Sequence, residues 1–235
     1  LTEDVETLTG LLLKIKGTLP RRRETIDYGP CAFMESYSQS TVFSSIDTQG
    51  RYAFGNQPSI LGWNLARLAE SLLPLFDMDM NKAMSFAQES INGFSDRLED
   101  QRRADLAQAL DASLEVASSY AAAMQLNGPD ITLAHRALAD AAAGHPTHAR
   151  ELFAEGDFLD DYLASSPDPS RVDSAMPRVI PRNLAVESAL DAAERGEMGP
   201  YQELLHAVTH PWEPNPPFES PDPNGLEGYL TYCGT

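Results

Sequence analysis

A helical period of apolar residues runs through most of the chain after residue 62, and it constrains the fold more than any other feature. In residues 63–73, tryptophan, leucine and alanine recur at steps of three and four, which places them on one face of a helix predicted to start after Pro58. Further helices are predicted at residues 80–95, 104–125, 131–142, 147–155 and 182–195. Several are followed by a glycine that can close a helix: Gly128, Gly144, Gly156 and Gly196. Alternating strand patterns are nearly absent, so we predict a mainly α body.

The amino-acid composition and net charge limit the kinds of molecule that the protein is expected to bind. The 235 residues are 42% hydrophobic, enough to bury a core, and 35 Asp and Glu against 17 Lys and Arg give a formal charge of −18. Such an excess of negative charge disfavours nucleic acids and anionic membranes. No apolar run approaches the roughly 20 residues of a membrane span, and two cysteines are too few for a disulfide scaffold. We therefore predict a soluble, cytoplasmic protein that binds neither nucleic acid nor membrane.

Local composition divides the chain into four segments. Residues 1–23 are a short amphipathic stretch that ends in a basic run, and residues 24–62 are rich in Gly, Ser and aromatic residues, as in an ordered loop. Residues 63–208 carry the helical pattern, interrupted by a Pro-rich connector at 165–181. Residues 209–235 hold six prolines, which predicts an extended C-terminal tail.

The tripeptide Asp27-Tyr28-Gly29 carries the clearest chemical signal. An acidic residue, an aromatic residue and a glycine form the kinase-type Asp-Phe-Gly arrangement, in which the carboxylate holds Mg²⁺ against nucleotide phosphates. The glycine lets the backbone turn sharply after the carboxylate. Three residues alone are also typical of a simple turn before Gly29-Pro30, so the residues leave both interpretations open.

The surroundings of this tripeptide resemble the selenoprotein O family. The resemblance covers about residues 24–235, with a variable middle. It rests on residues 27–34, 47–58 and 63–69, on the Pro-Arg-Val-Ile-Pro-Arg-Asn segment at 177–183, and on Tyr232-Cys233-Gly234-Thr235 at the end. Met176 stands where the family usually has Asn.

The resemblance implies a fold and an activity. It implies the helical C-terminal lobe of a protein-kinase-like, pseudokinase fold that binds ATP in an inverted pose. Members of the family transfer AMP from ATP to Ser, Thr or Tyr hydroxyls of proteins, so ATP and protein substrates are the expected partners. By position, Asp27 would bind ATP and its Mg²⁺ (or Mn²⁺) ion.

The first 23 residues depart from the family. The resemblance places a catalytic Asp and a metal-binding Asn ten residues before the position of Asp27, where this sequence has Gly17 and Thr18. A glycine cannot act as a base, and nothing before Glu24 resembles the nucleotide-gripping lobe. We therefore expect a truncated adenylyltransferase with an unrelated N-terminal segment, inactive alone. The alternatives are a non-catalytic helical interaction module and a redox-responsive domain.

The two cysteines are candidates for a redox role. The resemblance places a reactive Cys or selenocysteine at Cys233, and Cys31 lies four residues after Asp27. The two thiols are expected either to pair reversibly or to stay independent and reduced in the cytoplasm.

Two further groups of residues carry weaker signals. His145, His148 and Glu151 have a spacing found in metal sites, but a solvated helix start explains them equally simply. Arg51, Tyr52 and Asn56 fall in the segment that corresponds to a kinase activation region, where they either shape a substrate groove or stabilise the loop.

Overall fold

A computed structural model describes residues 33–222 together with residues 225 and 229, all within one compact unit that spans residues 32–235. In chain order its helices are α1 (Gln57–Phe76), α2 (Met80–Ile91), α3 (Phe94–Leu110), α4 (Leu114–Asn127), α5 (Ile131–Ala142), α6 (Thr147–Leu152), α7 (Phe158–Ala164), α8 (Pro169–Ala175), α9 (Asn183–Glu194), α10 (Gly199–Thr209) and α11 (Pro216–Glu219). The described part contains no strand, only an isolated antiparallel bridge between Ser36 and Asp130. The prediction of a mainly α protein is confirmed.

Side-chain caps define where several helices begin. Asp79, Ser113, Asp130 and Asp168 each accept a hydrogen bond from a backbone N–H of the first turn of α2, α4, α5 and α8. These caps satisfy amide groups that have no partner within the helix. At the other end of α4, Gly128 adopts a φ of 57° and closes the helix as the sequence predicted.

Helix boundaries differ from the sequence prediction in several places. α2 ends at Ile91 rather than at residue 95, α3 begins at Phe94 rather than at residue 104, and α6 ends at Leu152 rather than at residue 155. α1 begins at Gln57, with Pro58 inside its first turn rather than before it. The continuous helix predicted at 104–125 is interrupted, because Asp111 adopts a left-handed φ of 48° and Ser113 caps a new helix. The Pro-rich connector contains α8, whose first turn accommodates Pro169.

The main core lies between α3 and α7. Its aromatic part consists of Tyr120, Phe153, Phe158 and Tyr162, whose neighbouring ring centroids are 5.1–6.2 Å apart. Alanines of α4 and α5, together with Leu138, pack against these rings and let the helices approach closely. The buried residues of this core therefore come from the segment 110–162, and the first helical hairpin, α1–α2, lies outside it.

A buried histidine joins α8 to the core helix α5. His135 is 1% exposed, and its Nε2 donates to the carbonyl oxygen of Val172 at 2.8 Å. Burial lowers the pKa of His135 below 6.5, with the nearby Arg136 cation acting in the same direction, while the Val172 carbonyl and Asp173 oppose the shift. The folded protein therefore holds this imidazole neutral.

This histidine predicts a pH dependence of stability. Below about pH 6.5 the unfolded chain binds a proton at His135 that the folded chain excludes. The free energy of unfolding therefore decreases as the pH is lowered, by up to about 1.4 kcal/mol per pH unit. Urea unfolding at pH 7.5 and 5.5 measures the effect. We expect His135→Gln to flatten the dependence and exposed His148→Gln to leave it unchanged. Equal pH dependence in the wild type and His135→Gln would contradict the assignment.

Candidate functional site

The first described residues form a loop that is anchored on the N-termini of two helices. Tyr37 N–H donates to the Pro129 carbonyl at 2.9 Å, and Ile131 N–H donates to the Glu35 carbonyl at 3.1 Å. These bonds lay residues 33–37 against the start of α5. The loop then runs to α1 through a short 3-10 turn at Phe54–Asn56.

Arg182 is the centre of a buried ionic cluster beneath this loop. Its residue surface is 3% exposed, and its guanidinium lies 2.8 Å from the Asp130 carboxylate and 3.4 Å from the Glu35 carboxylate. It also donates to the backbone carbonyl of Glu219 at 2.7 Å. One side chain thus ties together the loop, α5 and α11, which are separated widely in sequence.

Asn183 extends the cluster to the start of the loop. Its Nδ2 donates to the Phe33 carbonyl at 2.8 Å, and its Oδ1 accepts from the Phe33 N–H at 3.0 Å. Its own backbone N–H donates to Glu35 Oε1 at 3.3 Å. The paired bonds between Asn183 and Phe33 reproduce the pattern of a strand pairing, so they fix both position and direction of the chain at Phe33.

An open cavity of about 690 Å³ lies beside the cluster. Glu35, Asp130 and Asn183 of the cluster line it, together with Asp47, Ser36 and Thr41 of the loop. Residues 221, 222, 225 and 229 line it as well. More of the lining surface is apolar than polar, and the carboxylates of Glu35 and Asp130 are paired with Arg182. Such a mixed lining favours a polypeptide over a bare phosphate.

The distal part of the loop is organised by one carboxylate. Asp47 accepts hydrogen bonds from the backbone N–H groups of Arg51 and Tyr52, each at 2.8 Å. Asn56 Nδ2 donates to the Gly50 carbonyl at 2.7 Å, so the observed contact of Asn56 is a structural one within the loop. The Arg51 guanidinium lies over the exposed Trp63 ring, 5.4 Å from its centroid.

The proposed metal-binding and redox residues lie outside the described part of the chain. This applies to Asp27, Gly17, Cys31 and Cys233, whose proposed roles stay predictions. Sequence reasoning assigned no role to Glu35, Asp130 or Arg182. The available signal was an Arg and an Asn at the start of a predicted helix, in a segment already singled out at residues 177–183.

Metal clusters and membrane spans are both absent from the described part of the chain. Among residues 33–222, 225 and 229, no group of three or more His, Cys, Asp or Glu side chains is placed to hold a metal ion, so the spacing of His145, His148 and Glu151 produces no such site. No helix in these ranges combines the length and apolarity needed to cross a membrane.

Comparison with known proteins identifies the family. Residues 22–127 match the family model described as Protein adenylyltransferase SelO. Proteins named protein nucleotidyltransferase YdiU are 43% identical in Mycobacterium sp. (strain KMS) and 44% identical in Cereibacter sphaeroides, each over 90% of this chain and 47% of the relative. Over the residues that match, the chain is related to the SelO family. The resemblance inferred from the sequence is thereby confirmed.

The matches cover only part of each relative. The chain spans about half the length of the curated relatives that it matches. The family model covers the loop, Glu35 and α1–α4, whereas Asp130 and Arg182 lie beyond its range. The buried cluster therefore connects the part of the chain that the SelO model matches to the helices beyond residue 127.

Proposed function

We propose that this chain is the C-terminal part of a protein adenylyltransferase, which transfers AMP from ATP to Ser, Thr or Tyr hydroxyls of proteins. The observation that carries the proposal is 43–44% identity, over 90% of the chain, to relatives named protein nucleotidyltransferase. In this reaction a hydroxyl oxygen forms a bond to the α-phosphorus, the bond to the β-phosphate oxygen breaks, and pyrophosphate leaves.

Asp27 is the proposed ligand of Mg²⁺ (or Mn²⁺) and ATP, from its place in the Asp27-Tyr28-Gly29 motif. A divalent ion would neutralise the charge that develops on the phosphates. The described residues supply no metal-ligand set of their own, so no step is assigned to the metal within them.

The anchored loop supports a positioning role for the described part. Phosphoryl-group transfer depends mainly on holding the reacting groups in place. The loop that begins at Phe33, six residues after Asp27, is fixed by Arg182 and Asn183, which are both buried. We propose that this cluster holds the loop in the conformation that catalysis needs, and that the cavity beside it receives part of the protein substrate.

A polypeptide of these 235 residues is proposed to have no AMP transfer on its own. Gly17 stands where the family resemblance places the catalytic Asp, and a positioned base typically contributes about 10²–10⁴-fold to the rate. Loss of the contacts that hold the nucleotide would reduce the rate further.

A chimera tests the proposed function. The part of the Mycobacterium sp. (strain KMS) relative that matches this chain is replaced by the matching residues of this chain, and transfer from α-labelled ATP to protein is measured by autoradiography and mass spectrometry. We expect AMP incorporation by the chimera and none by the 235-residue chain. A folded chimera without activity would contradict the adenylyltransferase assignment, and activity of the chain alone would contradict the assignment of Gly17.

A further inference from the structure

Two histidines stack against each other at the C-terminal end of α10. His206 lies in the last turn of the helix, and His210 caps it four residues later. Their ring centroids are 4.4 Å apart, and the ring planes differ by only 18°. Side chains four residues apart lie on the same face of a helix, so the end of α10 itself brings the two rings together. We call these two residues the histidine pair.

Hydrogen bonds determine which ring nitrogen of His210 carries its lone pair. Nδ1 of His210 lies 2.9 Å from the backbone carbonyl oxygen of His206. Because a carbonyl oxygen only accepts, Nδ1 carries the hydrogen and donates it, which leaves the lone pair on Nε2. The Thr209 hydroxyl, 3.2 Å from the same Nδ1, donates its own hydrogen to a backbone carbonyl of the last turn. An imidazole whose N–H is held by a backbone carbonyl is the arrangement found behind metal-bound histidines.

The rings are free to converge on one ion. Both histidines are exposed, and within the part of the chain that the structure describes the His206 ring makes no hydrogen bond. Two nitrogens of a tetrahedral zinc site lie about 3.4 Å apart, because each metal–nitrogen bond is about 2.0–2.1 Å long. Rings whose centroids are 4.4 Å apart reach this separation by side-chain rotation alone.

The ligand chemistry and the surrounding charge favour a transition-metal cation. Imidazole nitrogens suit Zn²⁺, Cu²⁺ and Ni²⁺, whereas Mg²⁺ and Ca²⁺ prefer oxygen ligands. Glu203 and Glu213 stand three residues before and three residues after the pair, in a chain with a formal charge of −18, so the local potential attracts cations. Among the described residues neither glutamate completes a group of three metal ligands. Water would therefore occupy the remaining positions around the ion.

We propose that the histidine pair binds one transition-metal ion of the Zn²⁺ type through two imidazole nitrogens. Such an ion would link the last turn of α10 to the residue directly before Pro211. The Pro211 carbonyl accepts hydrogen bonds from the backbone N–H groups of Arg178 and Val179 at 2.7 and 3.1 Å. Metal binding is therefore expected to stabilise the end of α10 where it holds the segment at residues 177–183. The site goes beyond the proposed function and does not require AMP transfer.

Calorimetric titration with ZnCl₂ at pH 7.5 tests the proposal. The 235-residue chain is used without a histidine tag, after treatment with a chelator and alkylation of its two cysteines, because thiolates are competing zinc ligands. We expect one Zn²⁺ to bind per chain. His206→Gln and His210→Gln should each weaken binding at least about 10-fold, since one imidazole no longer holds the ion in reach of the other. Zinc should also raise the Tm of the wild-type chain and leave the Tm of both variants unchanged.

The double variant His145→Gln/His148→Gln is the matched control. These two histidines are also exposed and lie three residues apart, but His145 precedes α6, so no helical turn joins them. The control should bind Zn²⁺ with the stoichiometry and Kd of the wild type. Far-UV circular dichroism checks that all variants are folded, which the exposure of the substituted side chains favours. Binding weaker than about 1 mM in the wild type, or equal weakening in the control, would overturn the proposal.

Discussion

Replacing Arg182 by methionine is expected to destabilise the protein by about 3–5 kcal/mol. The guanidinium faces two carboxylates, those of Asp130 and Glu35, in a site where the arginine side chain is 4% exposed and each carboxylate side chain 8%. Methionine fills most of the volume but leaves both carboxylates without their cation. The cost of uncompensated buried charge then dominates the change in the free energy of unfolding. Chemical denaturation measures it.

Arg195→Met provides the matched control for that substitution. Arg195 lies 4.0 Å from Glu197 at the surface, and both side chains are more than 60% exposed. Removing this pair is expected to change the free energy of unfolding by less than about 1 kcal/mol. A similar loss of free energy of unfolding in the two variants would contradict the stabilising role proposed for the buried cluster. Combining Arg182→Met with Glu35→Gln and Asp130→Asn should recover part of the loss, because the unpaired charges are then absent.

Replacing Asp27 by alanine is expected to reduce AMP transfer at least about 100-fold in the chimera, because the proposed divalent ion would lose a carboxylate ligand. Transfer from α-labelled ATP to protein, measured at several Mg²⁺ concentrations, gives the rate. Higher Mg²⁺ should restore part of the activity if the loss is one of metal binding.

Asp140→Ala is the control for the Asp27 variant, since Asp140 is an exposed carboxylate of α5. It should leave the rate within a factor of two. An Asp27→Ala chimera that retains its full rate would contradict the proposed role of Asp27, while the activity of the parent chimera would still support the function.

Local sequence signals determined much of the helical body. α5 was predicted at residues 131–142 and the structure has it at the same bounds, because its apolar period is regular and Asp130 caps it. The end of α4 followed from Gly128 in the same way. The family also followed from sequence, since it rests on long motifs rather than on contacts. These features depend on neighbours within a few residues.

The interruption of the predicted 104–125 helix depends on distant contacts. Asp111 adopts a left-handed conformation, and its carboxylate accepts from the Asp168 N–H at 2.8 Å and from Arg171 at 2.9 Å. These contacts also hold the pKa of Asp111 below its usual value, with the Asp168 bond the largest cause. The partners lie 57 and 60 residues away, so a window of the sequence around Asp111 contains only part of the reason for the break, the cap at Ser113.

The candidate site could not be predicted from the sequence, because its residues also lie far apart in the chain. Arg182 and Glu35 are separated by 147 residues, and Arg182 and Asp130 by 52. The sequence determined which side chains carry charge, where α5 lies and which family the chain resembles. Only the fold decided that one arginine would meet two carboxylates, because that depends on how distant segments pack against one another.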